Sequence, residues 1–438
     1  MENLAKRLNT QPQEVLERLR FIGNLAKELG YSAYVVGGFV RDLLLGVEDY
    51  DLDIVVEGDG ILFARELSKK MGVDFVTHKR FGTATLITHD KVKIDIASAR
   101  KEFYECPGSL PKVSPGTIHD DVARRDFTIN AMAVDISENS FGKLVDYFGG
   151  RQDLQKKVIK VLHAASFIDD PTRMLRAIRF EQRFGFSMEK QTRELFREAA
   201  SRAMLEKVHK HRLRDELILI LKEHTVVGCL QRINQLYGFE FIHPQLKVSS
   251  KSYPLFKKIR ELYECFIKEF PHRHKVEPWV LYLIILLKDL EPHTLQRVLS
   301  EFAFRKHETN AAVLFKKESQ RILARLKKAK SASEIYRVLG VVPDEVILLV
   351  YLKARQQKIR NKITDFLFFH KGIQIHLNGE ELKALGMAPG PRFKEILREL
   401  FYAKLDGKFK TKEEEINYVK HKALKWQHQK QECRDEQD

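Results

Sequence analysis

The sequence predicts an α+β fold, in which a head built on a small mixed sheet is followed by an all-helical remainder. Two observations predict this class. From residue 31 to about residue 162, short β-prone runs alternate with turns, and beyond Phe167 the pattern is helix after helix with short breaks. The 438 residues suggest about three domains, and an apolar share of 44% excludes disorder along the whole chain.

Each element of the head follows from a local pattern. The first strand ends at Gly37-Gly38, and the helix after it is stopped by Gly46. The predicted elements are a strand over 33–36, a helix over 39–45, a strand over 52–56, a helix over 61–71, and a hairpin that pairs 83–88 with 92–97. Residues 100–116 contain three prolines and two glycines, which predict a long mobile loop.

Positive charge is concentrated in the helical part. Residues 1–150 contain 19 Lys and Arg against 23 Asp and Glu, which gives a net charge of −4. Since the whole chain carries +16, residues 151–438 carry +20. This division predicts a polyanion held by the helical part and chemistry done in the head. A lysine-rich, solvated helical surface is the alternative.

The composition indicates neither a membrane nor an oxidising compartment. The longest strongly apolar stretch, residues 279–287, is about half of what a spanning helix needs, and the polar residues 1–20 do not resemble a signal peptide. The four cysteines lie far apart in no metal-ligand pattern. We therefore expect a cytoplasmic protein with no disulfide framework and no zinc site.

The first of three polar clusters joins the Gly37-Gly38 turn and Arg41 to Asp51 and Asp53. A glycine turn that enters a helix lets backbone N–H groups approach phosphates closely, and Arg41 can add a charged donor. Asp51 and Asp53 stand two apart on a predicted strand, so both carboxylates leave one face and can share a cation such as Mg²⁺. A solvent-facing strand with ordinary acids is the structural alternative.

The second cluster is Arg124-Arg125-Asp126. Adjacent basic and acidic side chains can bind a triphosphate and ribose hydroxyls. A surface salt bridge at a helix start explains the same residues without any ligand.

The third cluster is an arginine stripe on one helix. Asp170 and Pro171 suit the N-cap and the first helical position. At 100° per residue, four arginines fall within an arc of about 120°, namely Arg173, Arg176, Arg179 and Arg183. The arginines of such a stripe would repel one another unless an anion lay along it. The pattern therefore favours a bound anion, and a solvated helix face is the alternative.

In order and spacing, the segments GGFVRD, DYDLD, RRDFTINAMA and DDPTRMLRAIRF resemble the signature motifs of class II tRNA nucleotidyltransferases. This family comprises the CCA-adding enzymes and their A-adding, CC-adding and bacterial poly(A) polymerase relatives. The resemblance is dense from about residue 31 to about residue 190. It implies a polymerase-β-like nucleotidyltransferase head, and we expect a helical lead over 1–30, the head over 31–162, a neck over 163–225, a body over 226–335 and a tail over 336–438.

The resemblance also implies a role for each motif residue. Asp51 and Asp53 match catalytic carboxylates that bind the metal, and Asp95 on the strand 93–97 could supply a third. The residues that match nucleotide contacts are Gly37, Gly38, Arg41, Arg125 and Asp126 around the triphosphate and ribose, and Asp170, Arg173, Arg176 and Arg179 around the base. Asp169 departs from the family, since many members have Glu there.

The chemistry of Asp170 and Arg173 agrees with base reading. An ionised Asp only accepts hydrogen bonds and Arg only donates them. This pair suits cytosine and adenine, which present an amino donor beside a ring-nitrogen acceptor. Uracil and guanine present a carbonyl beside an N–H and would leave both charged groups mispaired.

The implied reaction is template-independent addition of CCA to the tRNA 3′ end, with CTP and ATP as substrates, Mg²⁺ as cofactor and pyrophosphate as the leaving group. The basic helical part, with candidates at 321–330 and 386–392, would hold the tRNA acceptor arm. No membrane and no obligate protein partner are expected.

Addition of A alone, of CC alone or of poly(A) stays open, although the long segment 100–116 argues against CC alone. A non-catalytic RNA-binding protein is the alternative of another class.

Overall fold

The computed structural model describes residues 3–47, 51–78, 82–269, 276–387, 390 and 392–421. The chain folds into two compact units, one formed by residues 1–248 with 301–303 and the other by residues 249–300 with 304–438. The strands of the described residues lie in the first unit and the second is helical, which confirms the α+β class. The finer division into lead, head, neck, body and tail stays a prediction.

The first unit contains both strands and helices. Its strands are β1 Ser32–Val36, β2 Leu52–Glu57, β3 Phe75–His78, β4 Thr83–Ile87, β5 Lys93–Ser98, β6 Arg100–Phe103, β7 Lys112–Pro115, β8 Ala133–Asp135, β9 Leu144–Val145, β10 Val158–Ile159 and β11 Ser187–Met188. Its helices are α1 Ala5–Leu8, α2 Gln13–Glu28, α3 Gly38–Leu45, α4 Gly60–Met71, α5 Ile118–Ala123, α6 Gly150–Gln155, α7 Ser166–Asp169, α8 Thr172–Phe184, α9 Lys190–Ser201, α10 Lys210–Lys222 and α11 Val226–Leu236. The predicted strands and helices between residues 33 and 97 are confirmed to within one or two residues at their ends.

A seven-stranded mixed sheet organises this unit, in the order β3-β4-β5-β2-β1-β8-β9. β2 and β5 run parallel, and the other neighbours run antiparallel. The predicted hairpin is present as the antiparallel pair β4–β5. The parallel pairing of β2 with β5 brings together two strands that are about forty residues apart in the sequence.

The two faces of the sheet have different environments. Leu52, Ile54 and Val56 of β2 belong to the main apolar core, which also contains the apolar residues of α2, α3 and α4. Val55 belongs to a smaller cluster on the opposite face. Because side chains alternate along a strand, Asp53 also leaves by that opposite face.

Two expectations about the first unit were wrong. The segment 100–116 is not a long irregular loop, because β6 and β7 pair antiparallel as a hairpin from Arg100↔Pro115 to Phe103↔Lys112. Its prolines do not interrupt the pairing, since two lie between the strands and Pro115 ends one of them. Strands also do not stop at Phe167, because β11 pairs parallel with β10. A strand of two residues is too short to produce a periodic pattern.

The second unit is built from helices. They are α12 Tyr253–Glu269, α13 Pro278–Leu286, α14 Pro292–Glu301, α15 Lys306–Lys328, α16 Ala332–Leu339, α17 Asp344–Lys353, α18 Gln357–Asp365, α19 Gly379–Ala384 and α20 Arg392–Leu405, with a π-helical segment Phe366–His370. The most apolar stretch of the sequence forms α13, whose residues from Trp279 to Leu286 are all buried in this unit. Among the described residues, none of the helices has the length and apolar character needed to cross a bilayer.

Candidate active site

The first unit contains a cleft of about 940 Å³. Eleven of the twelve predicted site residues line it, although they are spread over nearly 150 positions of the sequence. They are Gly37, Gly38, Arg41, Asp53, Asp95, Arg125, Asp126, Asp170, Arg173, Arg176 and Arg179. Asp51 lies exposed immediately before β2, two residues before Asp53. The motifs that the sequence singled out therefore converge on one cavity.

The carboxylates occupy one edge of this cleft. Asp53 on β2 and Asp95 on β5 are directly opposite each other in the parallel pairing, so their side chains leave the same face of the sheet. Asp53 is exposed, yet the walls of the cleft remove part of its solvent and raise its pKa. Arg125 and Lys93 oppose this rise in pKa, and Asp95 and Asp51 add to it. The edge therefore concentrates negative charge.

The donor chemistry at this edge fits a hard divalent cation. Among the described residues, no group of three or more His, Cys, Asp or Glu side chains is close enough to form a metal cage. Mg²⁺ does not require one, because proteins commonly bind it through one or two carboxylates together with substrate phosphates. Thr85 Oγ1 donates to Asp95 Oδ1 at 2.6 Å, and Lys93 contacts the other oxygen. Asp53 and Asp51 are thus the better ligand candidates.

The turn between β1 and α3 requires glycine at its first position. Gly37 has φ +70°, and a Cβ added there would lie 2.5 Å from Nη1 of Arg125 and 3.7 Å from Oδ2 of Asp53. Arg125 is held from behind, because its Nη2 donates to Asp121 Oδ2 at 3.0 Å. Its Nε is buried and has no hydrogen-bond partner among the described residues. The Arg125 guanidinium thus lies over the glycine turn, and not all of its N–H groups are used in hydrogen bonds within the protein.

Arg41 is more enclosed than a surface phosphate ligand would be. Its Nε and Nη2 donate to Asp42 at 2.9 and 2.6 Å, and its Nη1 donates to Asn130 at 2.7 Å. The guanidinium also lies 4.7 Å from the centre of the Phe184 ring. The hydrogen bond to Asn130 joins α3 to the segment that follows Asp126, and the predicted triphosphate contact of Arg41 stays a prediction.

Asp126 is a buried hub of hydrogen bonds. It accepts from its neighbour's backbone, Phe127 N, at 2.9 Å, from Asn130 Nδ2 at 3.0 Å, and from Arg176 Nη2 and Nε at 2.6 and 2.8 Å. Burial alone would raise the pKa of this carboxyl, but Arg176 and the hydrogen bond from Asn130 outweigh it and lower the pKa to about 2. Asp126 is therefore ionised and organises the cleft.

The arginine stripe does not need the outside anion that the sequence pattern predicted, because the protein supplies its own carboxylates. Glu216 of α10 pairs with Arg176 at 3.1 Å and with Arg179 at 3.4 Å. Glu223, just past the end of α10, lies 3.5 Å from Arg179 and 3.9 Å from Arg183. Both glutamates therefore face the stripe, Glu216 from within α10 and Glu223 from the residue that follows it.

The two predicted base-reading residues both line the cleft, and their side chains bond to other residues and not to each other. Asp170 Oδ1 accepts from Thr172 N at 3.1 Å and from Arg212 Nη2 at 2.9 Å. Arg173 donates to Ser166 Oγ at 2.8 Å and to the carbonyl of Arg124 at 2.7 Å. Both charged groups are therefore held in place, and two of their partners, Ser166 and Arg212, lie outside the sequence motifs.

Arg212 connects this pair to the hairpin β6–β7. Its Nη1 donates to the carbonyl of Gly108 at 3.1 Å, while Gly108 N donates to the carbonyl of Asp169 at 3.2 Å. Glu102 on β6 accepts from Arg100 and Arg124 at 2.9 and 3.0 Å. The hairpin is thus bound to Asp169, which precedes Asp170, and to Arg212 and Arg124, which contact Asp170 and Arg173.

Comparisons with known proteins agree with this geometry. The sequence model described as "Poly A polymerase head domain" matches residues 33–160, and "Probable RNA and SrmB- binding site of polymerase A" matches residues 185–249. An A-adding tRNA nucleotidyltransferase of Geobacter sulfurreducens is 37% identical over 92% of this chain and 47% of its own length. Another, from Halalkalibacterium halodurans, is 33% identical over 96% of this chain and 95% of its own length. The chain thus spans about half of the first relative and nearly all of the second.

A solved structure extends the likeness to the fold. The Thermotoga maritima CCA-adding enzyme complexed with tRNA is 32% identical, with a TM-score of 0.70 over 96% of this chain and 99% of its own. Its likeness covers both units, so the predicted polymerase-β-like head followed by helical segments is confirmed. The chain therefore belongs to the family of tRNA nucleotidyltransferases and poly(A) polymerases.

Proposed function

We propose that the protein transfers nucleotides from CTP or ATP to the 3′ end of tRNA, without a nucleic-acid template and with release of pyrophosphate. One observation carries the proposal: the Asp53–Asp95 edge and the Asp170–Arg173 pair line the same 940 Å³ cleft. A carboxylate edge suits the reacting phosphate, and an acceptor–donor pair suits a base. Their presence in one cavity matches the two ends of a nucleoside triphosphate.

The triphosphate would lie between the glycine turn and the carboxylate edge. Because Gly37 has no side chain, the Arg125 guanidinium lies over the turn and would supply charged donors to the triphosphate there. Mg²⁺ held by Asp51 and Asp53 would supply Lewis-acid stabilisation of the charge that develops on the phosphates. The tRNA 3′-hydroxyl oxygen forms a bond to the α-phosphorus as the bond to the bridging β-phosphate oxygen breaks.

Asp170 and Arg173 would read the incoming base. Asp170 offers a carboxylate acceptor, and Arg212 and Thr172 hold that carboxylate in position. Arg173 is buried and fixed by Ser166, so its remaining donor capacity points in a defined direction. Rigid placement is what gives a hydrogen-bonding site strong discrimination, because the wrong base leaves charged groups unpaired.

The partner would be tRNA. The charge of +20 over residues 151–438 favours a polyanion, and the Thermotoga relative is complexed with tRNA. Within this part, residues 321–330 carry five positive charges. The candidate turn at 386–392 lies partly outside the described residues. Steep weakening of tRNA binding with salt is expected.

Two of the possible products are each favoured by an observation. Complete CCA addition is the product implied by the sequence motifs, and the Thermotoga relative carries that name. Addition of the terminal A alone is the second candidate. It is favoured by the names of the Geobacter and Halalkalibacterium relatives, both A-adding enzymes with somewhat higher identity to this chain.

One experiment separates these products and tests the proposal. Three tRNAs ending at the discriminator base, at CC and at CCA are each offered labelled CTP or ATP, with an oligo(A) primer as control. Complete CCA addition requires CMP incorporation on the first tRNA. Incorporation of AMP on the CC-ending tRNA without any CMP incorporation would identify an A-adding enzyme. Absence of incorporation on every primer would support a non-catalytic RNA-binding protein.

A further inference from the structure

The second unit contains a cavity of about 340 Å³ that is separate from the cleft, and we call it the lysine cavity. Side chains of α12, α13, α15 and α17 contribute to its lining. Its apolar lining residues are Leu255, Ile285, Phe315, Leu349 and Leu352. Phe315, Ile285 and Leu349 are buried, so this part of the lining is well formed.

The rest of the lining is polar and consists of Asp289, Ser319 and three lysines, two of which have no acidic partner among the described residues. Lys288 pairs with Asp289 at 2.6 Å. Lys316 Nζ donates to the carbonyl of Lys288 at 2.9 Å, and Lys353 Nζ donates to the buried Ser319 Oγ at 3.0 Å. Within the part of the chain that the structure describes, neither Lys316 nor Lys353 forms an ion pair. With Asp289 included, the lining carries a net charge of +2.

Lys316 and Lys353 repel each other, and Lys353 is exposed to solvent, so an anion could reach this pair. Burial lowers the pKa of Lys353, and the positive charge of Lys316 lowers it further. Nζ of Lys353 also lies 5.5 Å from the centre of the Phe315 ring. The ammonium group thus stands beside an aromatic face, where a ligand could meet the cation and the ring together.

We propose that the lysine cavity binds a small organic anion, in which one anionic head group is joined to an apolar or aromatic body. Lys316 and Lys353 would hold the head through charge-assisted hydrogen bonds. Phe315 and the leucines would cover the body. The volume lies near the lower end of the range of about 300–1,000 Å³ for small-molecule sites, so the ligand is small.

An RNA backbone fits this cavity less well than a small molecule does. RNA phosphates are bound by charged, solvated surfaces, whereas half of the ten lining residues here are apolar. The inference does not rest on nucleotide transfer, because none of these residues lines the cleft.

Calorimetric titration of the full chain tests the proposal with three probes. Inorganic phosphate presents the head alone, octanoate adds an aliphatic body to a carboxylate, and AMP adds an aromatic body to a phosphate. We expect octanoate or AMP to bind at least about tenfold more tightly than phosphate. Whichever of the two binds more tightly identifies the apolar body of the ligand as an acyl chain or as a nucleotide.

Variants locate the binding site. Lys316→Gln with Lys353→Gln should weaken that binding by about tenfold or more. Leu352→Glu keeps both lysines, places a carboxylate in the lining and should also block the anion. Lys317→Gln removes an exposed lysine of the same helix and should leave binding unchanged. AMP bound in the cleft would not respond to any of these variants.

The melting temperature gives an independent readout. If the lysines serve an anion, the double glutamine variant without ligand should melt no lower than wild type, because like-charge repulsion is removed. The proposal is overturned if no probe binds saturably, if the double variant binds as wild type does, or if the variants weaken only tRNA binding. If the double glutamine variant melts at a lower temperature than wild type but binds the probes equally well, the two lysines stabilise the fold and do not bind an anion.

Discussion

Asp53 and Asp95 face each other across the parallel strands β2 and β5, and their carboxylates share the face of the sheet that lines the cleft. The opposite face of the same strands carries the main apolar core. One sheet therefore anchors the unit with one face and holds acidic groups in the cleft with the other. This division explains how a small head can place carboxylates rigidly beside a ligand.

Replacing Asp53 with Asn should lower nucleotide transfer by about a thousandfold or more, because the cation site at the carboxylate edge loses a charged ligand. Binding of tRNA should change little, since the basic surfaces remain. Primer-extension rates and tRNA filter binding measure the two effects separately. Asp74→Asn, which alters an exposed aspartate before β3, is the control and should transfer normally. Comparable activity of Asp53→Asn and Asp74→Asn would remove Asp53 from the site.

Gly37→Ala should reduce transfer as well as stability. The new Cβ would meet Nη1 of Arg125 at 2.5 Å, and the backbone is at φ +70°. Gly72→Ala is a matched control, because Gly72 has φ +66° and open space around its Cβ position. Both variants should lose about 1 to 2 kcal/mol of unfolding free energy from backbone strain. Only Gly37→Ala should raise the KM for ATP, and equal kinetics in the two variants would contradict the phosphate-binding role of the turn.

The ionised state of Asp126 should stabilise the fold in a defined pH range. Folding lowers the pKa of this carboxyl from 3.8 to about 2. Its contribution, on the order of 2 kcal/mol, is therefore complete above about pH 5 and is lost progressively as the pH falls toward 2. The difference in unfolding free energy between wild type and Asp126→Asn, measured by urea titration, should be constant from pH 7 to 5 and shrink below pH 4. A difference that does not change down to pH 3 would show that this carboxyl is not held ionised.

Removal of the Glu216 carboxylate should destabilise the first unit, because Arg176 and Arg179 would lose a shared partner that is largely shielded from solvent. We expect Glu216→Gln to cost about 3 kcal/mol of unfolding free energy. Glu198→Gln breaks the exposed pair with Arg202 and should cost at most about 0.5 kcal/mol. Chemical denaturation compares the two, and similar small losses would mean that the arginine stripe is neutralised in another way.

The local patterns predicted most of the site because its residues lie at ends of elements that the sequence marks clearly. The Gly37-Gly38 turn ends a strand, the strand alternation puts Asp53 on the face opposite the core, and Asp170 precedes a helix start. The missed residues are long-range partners. Glu216 lies 40 positions after Arg176 and Arg212 lies 42 after Asp170, and no local periodicity connects such pairs. The hairpin β6–β7 was missed because prolines in its tip and at its end resemble those of an irregular loop.

The central claim is that one cleft transfers nucleotides to tRNA and selects them through Asp170 and Arg173. Incorporation of each of the four α-labelled nucleotides into a tRNA ending in CC, by wild type and by Asp170→Asn, tests it most directly. We predict AMP incorporation by wild type, UMP and GMP incorporation at least about a hundredfold slower, and reduced discrimination in Asp170→Asn. Comparable incorporation of all four nucleotides by wild type, or discrimination that is unchanged in the variant, would contradict the account.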